Sequence, residues 1–241
     1  MLTSFIKKFC PPPFKQKIEL ARAAPDSDTC LAAMKRRGFH PKTAIDVGAY
    51  AGEWTISLRH LFPDTRVLMI EPQASHRERL EALTQVHDGV EFARALLGPA
   101  AADRVTFYQT ETGRSVLRDP GNAGAQSAAV KMTTLDAVVR TTPFGRADFL
   151  KLDVQGYELE VLKGAEQVLA SVEAVMMEVN PIEVCEGAPV AYEAVAFMAV
   201  RGFRVYDFCT LFRRPSDYAL WQTAMVFVRA TSPLMGYTRW A

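Results

Sequence analysis

Apolar and polar positions alternate along this chain with two distinct periods. Short apolar runs at residues 44–47, 67–70, 90–95, 147–152 and 174–179 read as buried strands. Between them, apolar residues recur three and four apart, as in Trp54, Leu58, Leu61 and Phe62 ahead of Pro63, or Leu80 and Leu83 in a polar frame. That spacing predicts helices, and it recurs over residues 157–169 and 189–200. Residues 105–109 and 130–133 read as half-exposed extended segments, and 203–208 and 223–228 as the final strands. Upstream, Asp26 is placed to cap a helix that runs through Leu31 and Met34 and ends near Gly38. Repeated strand-then-helix units imply an α/β fold, a parallel sheet with helices on both faces, because crossovers between parallel strands are right-handed. Residues 110–129, rich in Gly, Ser, Ala and Asn, read as a surface loop.

Composition narrows the function classes. The chain has 241 residues, 49% hydrophobic and 23% charged, enough for one substantial core. Its 28 basic and 27 acidic side chains leave a net charge of +1, which gives no basic stripe for nucleic acid. No apolar run approaches the roughly 20 residues that span a bilayer, so a soluble, cytoplasmic protein is expected. Residues 1–25, with Pro11-Pro12-Pro13 and mixed Lys and apolar positions, read as an arm packed on the body, with weak peripheral membrane contact as the alternative. Cys10, Cys30, Cys185 and Cys209 are far apart and form no metal-ligand spacing, which suits reduced thiols. The final segment, with Tyr237 and Trp240, is a candidate homodimer contact.

The densest chemical signal is Asp46-Val47-Gly48-Ala49-Tyr50-Ala51-Gly52-Glu53-Trp54-Thr55, where the first strand turns into its helix. Ligands of doubly wound sheets bind at that carboxyl edge. The pattern Asp-x-Gly-x-x-x-Gly is not the G-x-G-x-x-G of a dinucleotide site, and its carboxylate would repel a diphosphate. An acid there suits a cationic ligand such as S-adenosylmethionine, whose single carboxylate backbone amides can satisfy. Glu71, ahead of Pro72 at the end of the second strand, is placed to accept hydrogen bonds from both ribose hydroxyls. Gly48 and Gly52 are expected to let backbone approach the ligand, and Thr55 and the Ala95-Leu96 pair are further cofactor-shell candidates. A tight turn with a backbone-capping acid is the plainer alternative.

A second cluster ends another apolar strand at Lys151-Leu152-Asp153-Val154-Gln155-Gly156-Tyr157-Glu158. Asp153 should project into the same crevice, where it is a further cofactor-binding candidate, and Lys151, two positions away on the same face, is its natural ion-pair partner. Glu178 and Asn180 end the following strand.

The run from Lys151 through Glu158, continued by Leu159-Glu160-Val161-Leu162-Lys163-Gly164-Ala165, together with the turn at residues 43–61, resembles the FkbM family of S-adenosylmethionine-dependent methyltransferases over residues 43–182. Gln155 stands where that family usually has Glu, and Tyr157 where it usually has Ala; both departures bear on the substrate pocket. The resemblance implies a class I, Rossmann-like, doubly wound sheet of seven strands, mostly parallel with an antiparallel last strand. It also implies O-methylation in glycan or natural-product pathways, by a methyltransferase domain over residues 41–241 preceded by the arm and helix of residues 1–40.

For such chemistry a base must take the proton of a small-molecule or glycan hydroxyl. Asp153 is the first candidate, Glu178 the second, and Lys151 the electrostatic partner. A divalent cation on Asp153, Glu178 and Asn180 is an alternative, though the family does not demand a metal. His40, His60, His76 and His87 read as surface or structural histidines. Polar side chains at Thr112, Arg114, Ser115, Arg118, Asn122 and Gln126 could meet a polyhydroxyl acceptor, as could a stacking wall of Tyr192, Phe208, Phe212, Tyr218 and Trp221. N- or C-methylation and a catalytically inactive binding module are the competing functions.

Overall fold

A computed structural model describes residues 24–109, 114–117 and 126–236. The chain enters through α1 (Ser27–Arg36), whose N-cap Asp26 accepts a 2.7 Å hydrogen bond from the Thr29 amide. Cys30, Leu31 and Met34 on its inner face are fully buried. Then strand and helix alternate: β1 (Thr43–Val47), α2 (Glu53–Leu61), β2 (Arg66–Ile70), α3 (Arg77–Val86) and β3 (Val90–Ala93). After an inserted region come β8 (Phe149–Leu152), α5 (Glu158–Lys163), α6 (Glu166–Ser171), β9 (Ala174–Val179), α7 (Ala191–Ala199), β10 (Phe203–Arg213) and β11 (Leu220–Arg229).

These strands form a seven-stranded sheet in the order β10-β11-β9-β8-β1-β2-β3. The β9-β8-β1-β2-β3 portion is parallel, and β11 runs antiparallel to both β9 and β10. The period of two sorts each strand between two cores. Ile45, Val47, Leu68, Ile70, Leu150, Leu152, Val175 and Met177 pack into one. Ala44, Val67, Met69, Phe149, Ala174 and Met176 face the other, with α1 and the start of α2. The crevice at the carboxyl edge opens between β1 and β8, where the chain direction reverses from one flank of β1 to the other.

The inserted region is a second sheet in the order β4-β7-β5-β6, from β4 (Leu96–Leu97), β5 (Ala102–Gln109), β6 (Arg114–Ser115) and β7 (Gln126–Thr133). It corrects two expectations. Residues 126–129, read as loop, lie in β7 because they pair with β5 from Gln109↔Gln126 to Thr106↔Ala129. The strand expected over residues 90–95 ends at Ala93, and Leu96 and Leu97 join the second sheet instead, paired to Met132 and Thr133. Other boundaries differ as well. The helix expected over residues 157–169 is two short helices, broken at Gly164, where a Cβ would overlap the Gly98 carbonyl oxygen. Asp136 restarts it by accepting from the Gln167 and Val168 amides at 2.9 and 3.0 Å. An unpredicted helix, α4 (Leu135–Thr141), begins at Thr134, whose hydroxyl accepts from the Ala137 amide. β10 and β11 run past residues 208 and 223 to form a long hairpin. The proline arm, most of the polar loop and the last five residues lie outside the described residues.

Candidate active site

β1 and β8 set the floor of the site through their register. Asp46 pairs with Lys151 across the two parallel strands, so both side chains stand on the same face. Asp46 is fully buried, and its Oδ2 accepts a 2.8 Å hydrogen bond from the Thr55 hydroxyl. Its Oδ1 receives no hydrogen bond and faces Lys151 Nζ at 3.1 Å. The same ammonium donates to the Gly48 carbonyl at 3.1 Å and lies 3.6 Å from Asp153 Oδ2. Burial works against its charge, but Asp46 and Asp153 outweigh that and hold the ammonium above the ordinary lysine range.

Above this floor, the chain bends at Gly48, whose φ is +74°. A Cβ there would overlap the Asp153 carbonyl oxygen, so the two strand-end loops touch backbone to backbone. Tyr50, with φ +49°, donates its amide to Glu71 Oε2 at 3.0 Å, and the Gln73 amide donates to Oε1 at 3.0 Å. Glu71 thereby ties the loop after β1 to the loop after β2. Burial pushes its carboxyl up, and these two amide bonds pull it back.

The cavity at this edge has a volume of about 700 Å³, the size of a small-molecule site. Gly48, Ala49, Tyr50, Glu71 and Pro72 line one part of it, and Ala95, Leu96, Lys151 and Asp153 also border it. Asp46, Gly52 and Thr55 do not. Gly52 caps α2 with φ +84°, and the space beside it is filled by Leu83 and Leu80 rather than open to the cavity. Asp46 and Thr55 act from behind the wall.

Asp153 is partly exposed on the cavity wall, and its Oδ1 accepts a 2.9 Å hydrogen bond from Gln155 Nε2. Glu178 does not border the cavity; its Oε1 accepts from the same Gln155 nitrogen at 3.1 Å. Burial, then the Asp153 and Glu158 carboxyls, push Glu178 up to about 9. Asn180 is committed elsewhere, donating to the Trp221 carbonyl at 2.8 Å. Among the described residues, no three His, Cys, Asp or Glu side chains converge as a metal cluster. The second sheet contributes Phe107, Ser115 and Val116 to the lining, and Tyr157 completes an apolar side.

Several participants escape a reading of the sequence. His76, read as a surface or structural histidine, lines the cavity with its ring tilted 51° against Tyr50, the centroids 4.1 Å apart. Glu158, visible only as part of a longer motif, is buried and accepts from the Val154 and Gly156 amides at 2.8 and 3.3 Å. Conversely, Tyr192, Phe208, Phe212, Tyr218 and Trp221 are at least partly exposed and form no wall of this cavity.

The strand order, the antiparallel β11 and the acid-lined crevice between β1 and β8 define a class I methyltransferase fold. The Methyltransferase FkbM domain matches residues 46–205, and the chain belongs to the FkbM methyltransferase family. The match reaches beyond the 43–182 resemblance, through α7 into β10. The AMB antimetabolite synthetase AmbE of Pseudomonas aeruginosa is 27% identical over 174 residues, covering 56% of this chain and 8% of the synthetase. The methyltransferase sdnD of Sordaria araneosa is 26% identical over 155 residues, covering 51% of this chain and 60% of sdnD. The FkbM methyltransferase of Methylobacillus flagellatus KT superposes with a TM-score of 0.49 at 18% identity, covering 77% of this chain and 43% of that one. This chain thus spans less than two thirds of each of these relatives. No helix among the described residues is long and apolar enough to cross a membrane.

Proposed function

We propose that this protein transfers a methyl group from S-adenosylmethionine to a hydroxyl of a small molecule, a sugar, a glycolipid glycan or a polyketide-type natural product. The observation that carries the reading is the placement of Asp153 on the cavity wall, oriented by Gln155 and flanked by Lys151. The fit to the donor rests on the residues present. Glu71 keeps a second lone pair on each oxygen after accepting from Tyr50 and Gln73, enough for two ribose hydroxyls. Gly48, Ala49 and Tyr50 supply the loop for the amino-acid end, and Pro72, Ala95 and Leu96 the apolar border for the base. Asp46, Gly52 and Thr55 hold that loop in shape from behind.

When bound, the donor supplies an electrophilic methyl carbon that passes to the acceptor oxygen while sulfur keeps the electron pair of the broken bond. Asp153 takes the hydroxyl proton, and Lys151 holds the carboxylate in place for it. Glu178 acts through Gln155 rather than on the acceptor.

Calorimetry with S-adenosylmethionine and S-adenosylhomocysteine tests the donor site, and labelled methyl transfer to sugars, glycolipids and polyketides tests the acceptor. Asp153→Asn is expected to retain donor binding and lose at least a hundredfold in turnover, on the scale of a general base. Full turnover in that variant would remove the base assignment. Transfer to nitrogen or carbon would replace the O-methyl reading, and donor binding without transfer to any acceptor would favour a binding module.

A further inference from the structure

Two buried thiols from distant parts of the chain meet beneath α1. Cys30 stands on the inner face of that helix and Cys209 in β10, the edge strand of the seven-stranded sheet. Both belong to one core cluster, and neither is more than 1% exposed. Helix and strand interlock around them. Ser27, about one turn before Cys30, places its hydroxyl 3.1 Å from that of Thr210 and 4.0 Å from Cys209 Sγ. Cys30 Sγ donates to Asp207 Oδ2 at 3.6 Å. The register of β10 against β11 is unbroken from Asp207↔Val226 to Cys209↔Ala224, so Asp207 and Cys209 stand on the same face of the strand. Beyond Cys209 the register shifts, and Thr210, with φ +57°, donates its amide to the Pro25 carbonyl at 2.8 Å, just ahead of α1. The Cys30 thiol thereby reaches the Cys209 sulfur. That contact and burial push Cys30 up, while the same contact and the Ser27 hydroxyl lower Cys209 against its burial, so Cys209 is the readier thiolate.

We propose that Cys30 and Cys209 are a modification site, which a hydroperoxide oxidises to a disulfide that staples α1 to the edge of the sheet. The Cys209 thiolate attacks one peroxide oxygen; the O–O bond breaks, and with one proton the other oxygen leaves as water or an alcohol. Cys209 is then a sulfenic acid. Cys30 attacks that sulfur, its own proton going to the departing oxygen, which leaves as water while the S–S bond forms. Two thiols are oxidised and one hydroperoxide is reduced. Buried thiols are ordinarily inert, but here a single helix covers them, and its Asp28 and Thr29 face solvent. Lifting α1 from β10 admits the oxidant without opening the sheet, and the bridge then holds the helix down. Neither cysteine borders the cavity, so the site is independent of the methyl-transfer reading.

The test treats the reduced full chain with hydrogen peroxide, in urea below the unfolding transition so that α1 can open. Wild type is compared with the double variant Cys10→Ser, Cys185→Ser, which keeps only the proposed pair, and with Cys30→Ser. Peptide mapping by mass spectrometry without reductant should join the Cys30 and Cys209 peptides, with the loss of two hydrogens, in wild type and in the double variant. Once urea and peroxide are removed, the bridged protein should melt at least about 5 °C above the reduced form, because the bridge closes a long loop. Dithiothreitol should reverse that shift. Cys30→Ser should form no bridge at Cys209 in the folded chain and should instead carry a sulfenic acid there, trapped by dimedone. Both thiols still free after peroxide, a bridge from either to Cys10 or Cys185, or a bridged form that melts no higher than the reduced one overturns the proposal. Each of those results leaves the donor site and the methyl-transfer reading standing.

Discussion

Lys151 Nζ stands 3.1 Å from Asp46 Oδ1, inside the sheet, with the lysine side chain 10% exposed and the aspartate side chain not exposed at all. The pair is a strut under the site, since the same ammonium also holds the Gly48 carbonyl. Lys151→Met strands a buried carboxylate, and breaking such a pair on one side costs about 3–5 kcal/mol. Urea unfolding should show that loss, with a large part recovered in the double variant Asp46→Asn, Lys151→Met. A single variant as stable as wild type would mean that Asp46 has another counter-charge.

Two glycines with nearly equal backbone angles separate strain from crowding. Gly48 and Gly145 have φ of +74° and +75°, yet nothing lies within 4 Å of a Cβ at Gly145, while one at Gly48 meets the Asp153 backbone. Gly145→Ala should therefore cost only the backbone strain of about 1–2 kcal/mol. Gly48→Ala should lower Tm clearly further and weaken S-adenosylhomocysteine binding at least tenfold, as it pushes the β1 and β8 loops apart. Equal Tm losses in the two variants would contradict the backbone contact.

Stability should fall as pH rises through the neutral range. Burial pushes the Glu158 carboxyl from its ordinary 4.5 up to about 7, against the pull of the Val154 amide and with further help from Asp153. The folded state then binds this proton more tightly than the unfolded chain, so its contribution is full below about 4.5 and is lost by about 7. The change amounts to about 3 kcal/mol across that window. Glu178 extends the same sign toward about 9. Urea midpoints at pH 5, 7 and 9 should show Glu158→Gln flattening the lower half of the slope and Glu178→Gln the upper half. A slope unchanged in both variants would place its origin elsewhere.

Glu71 and Thr55 should part company in a binding experiment. Glu71→Ala releases both the Tyr50 and the Gln73 amides at the cavity wall and should weaken S-adenosylhomocysteine at least tenfold. Thr55→Val removes only the hydroxyl bonded to Asp46 behind the wall, which should cost about 1–3 kcal/mol of stability and leave affinity within about threefold. Calorimetry beside urea unfolding distinguishes them, and a tenfold affinity loss in Thr55→Val would put that hydroxyl in the site.

The local pattern of the chain was enough for the alternation of strands and helices, the glycine bend after β1, the acids ending β1, β2 and β8, and the family resemblance. Each of these is written in neighbouring residues: apolar period, cap, turn and motif. What faces what was settled only by tertiary structure, because it depends on register between strands far apart in sequence. Asp46 pairs with Lys151 behind the cavity wall, the space beside Gly52 is filled by Leu83, and the His76 ring comes to lie tilted beside Tyr50. Residues 126–129 look like loop until β5 supplies their hydrogen-bond partners. Gln155, unremarkable as a letter, becomes a bridge between two carboxyls because β9 delivers Glu178 beside Asp153 and a strained turn aims the amide at both.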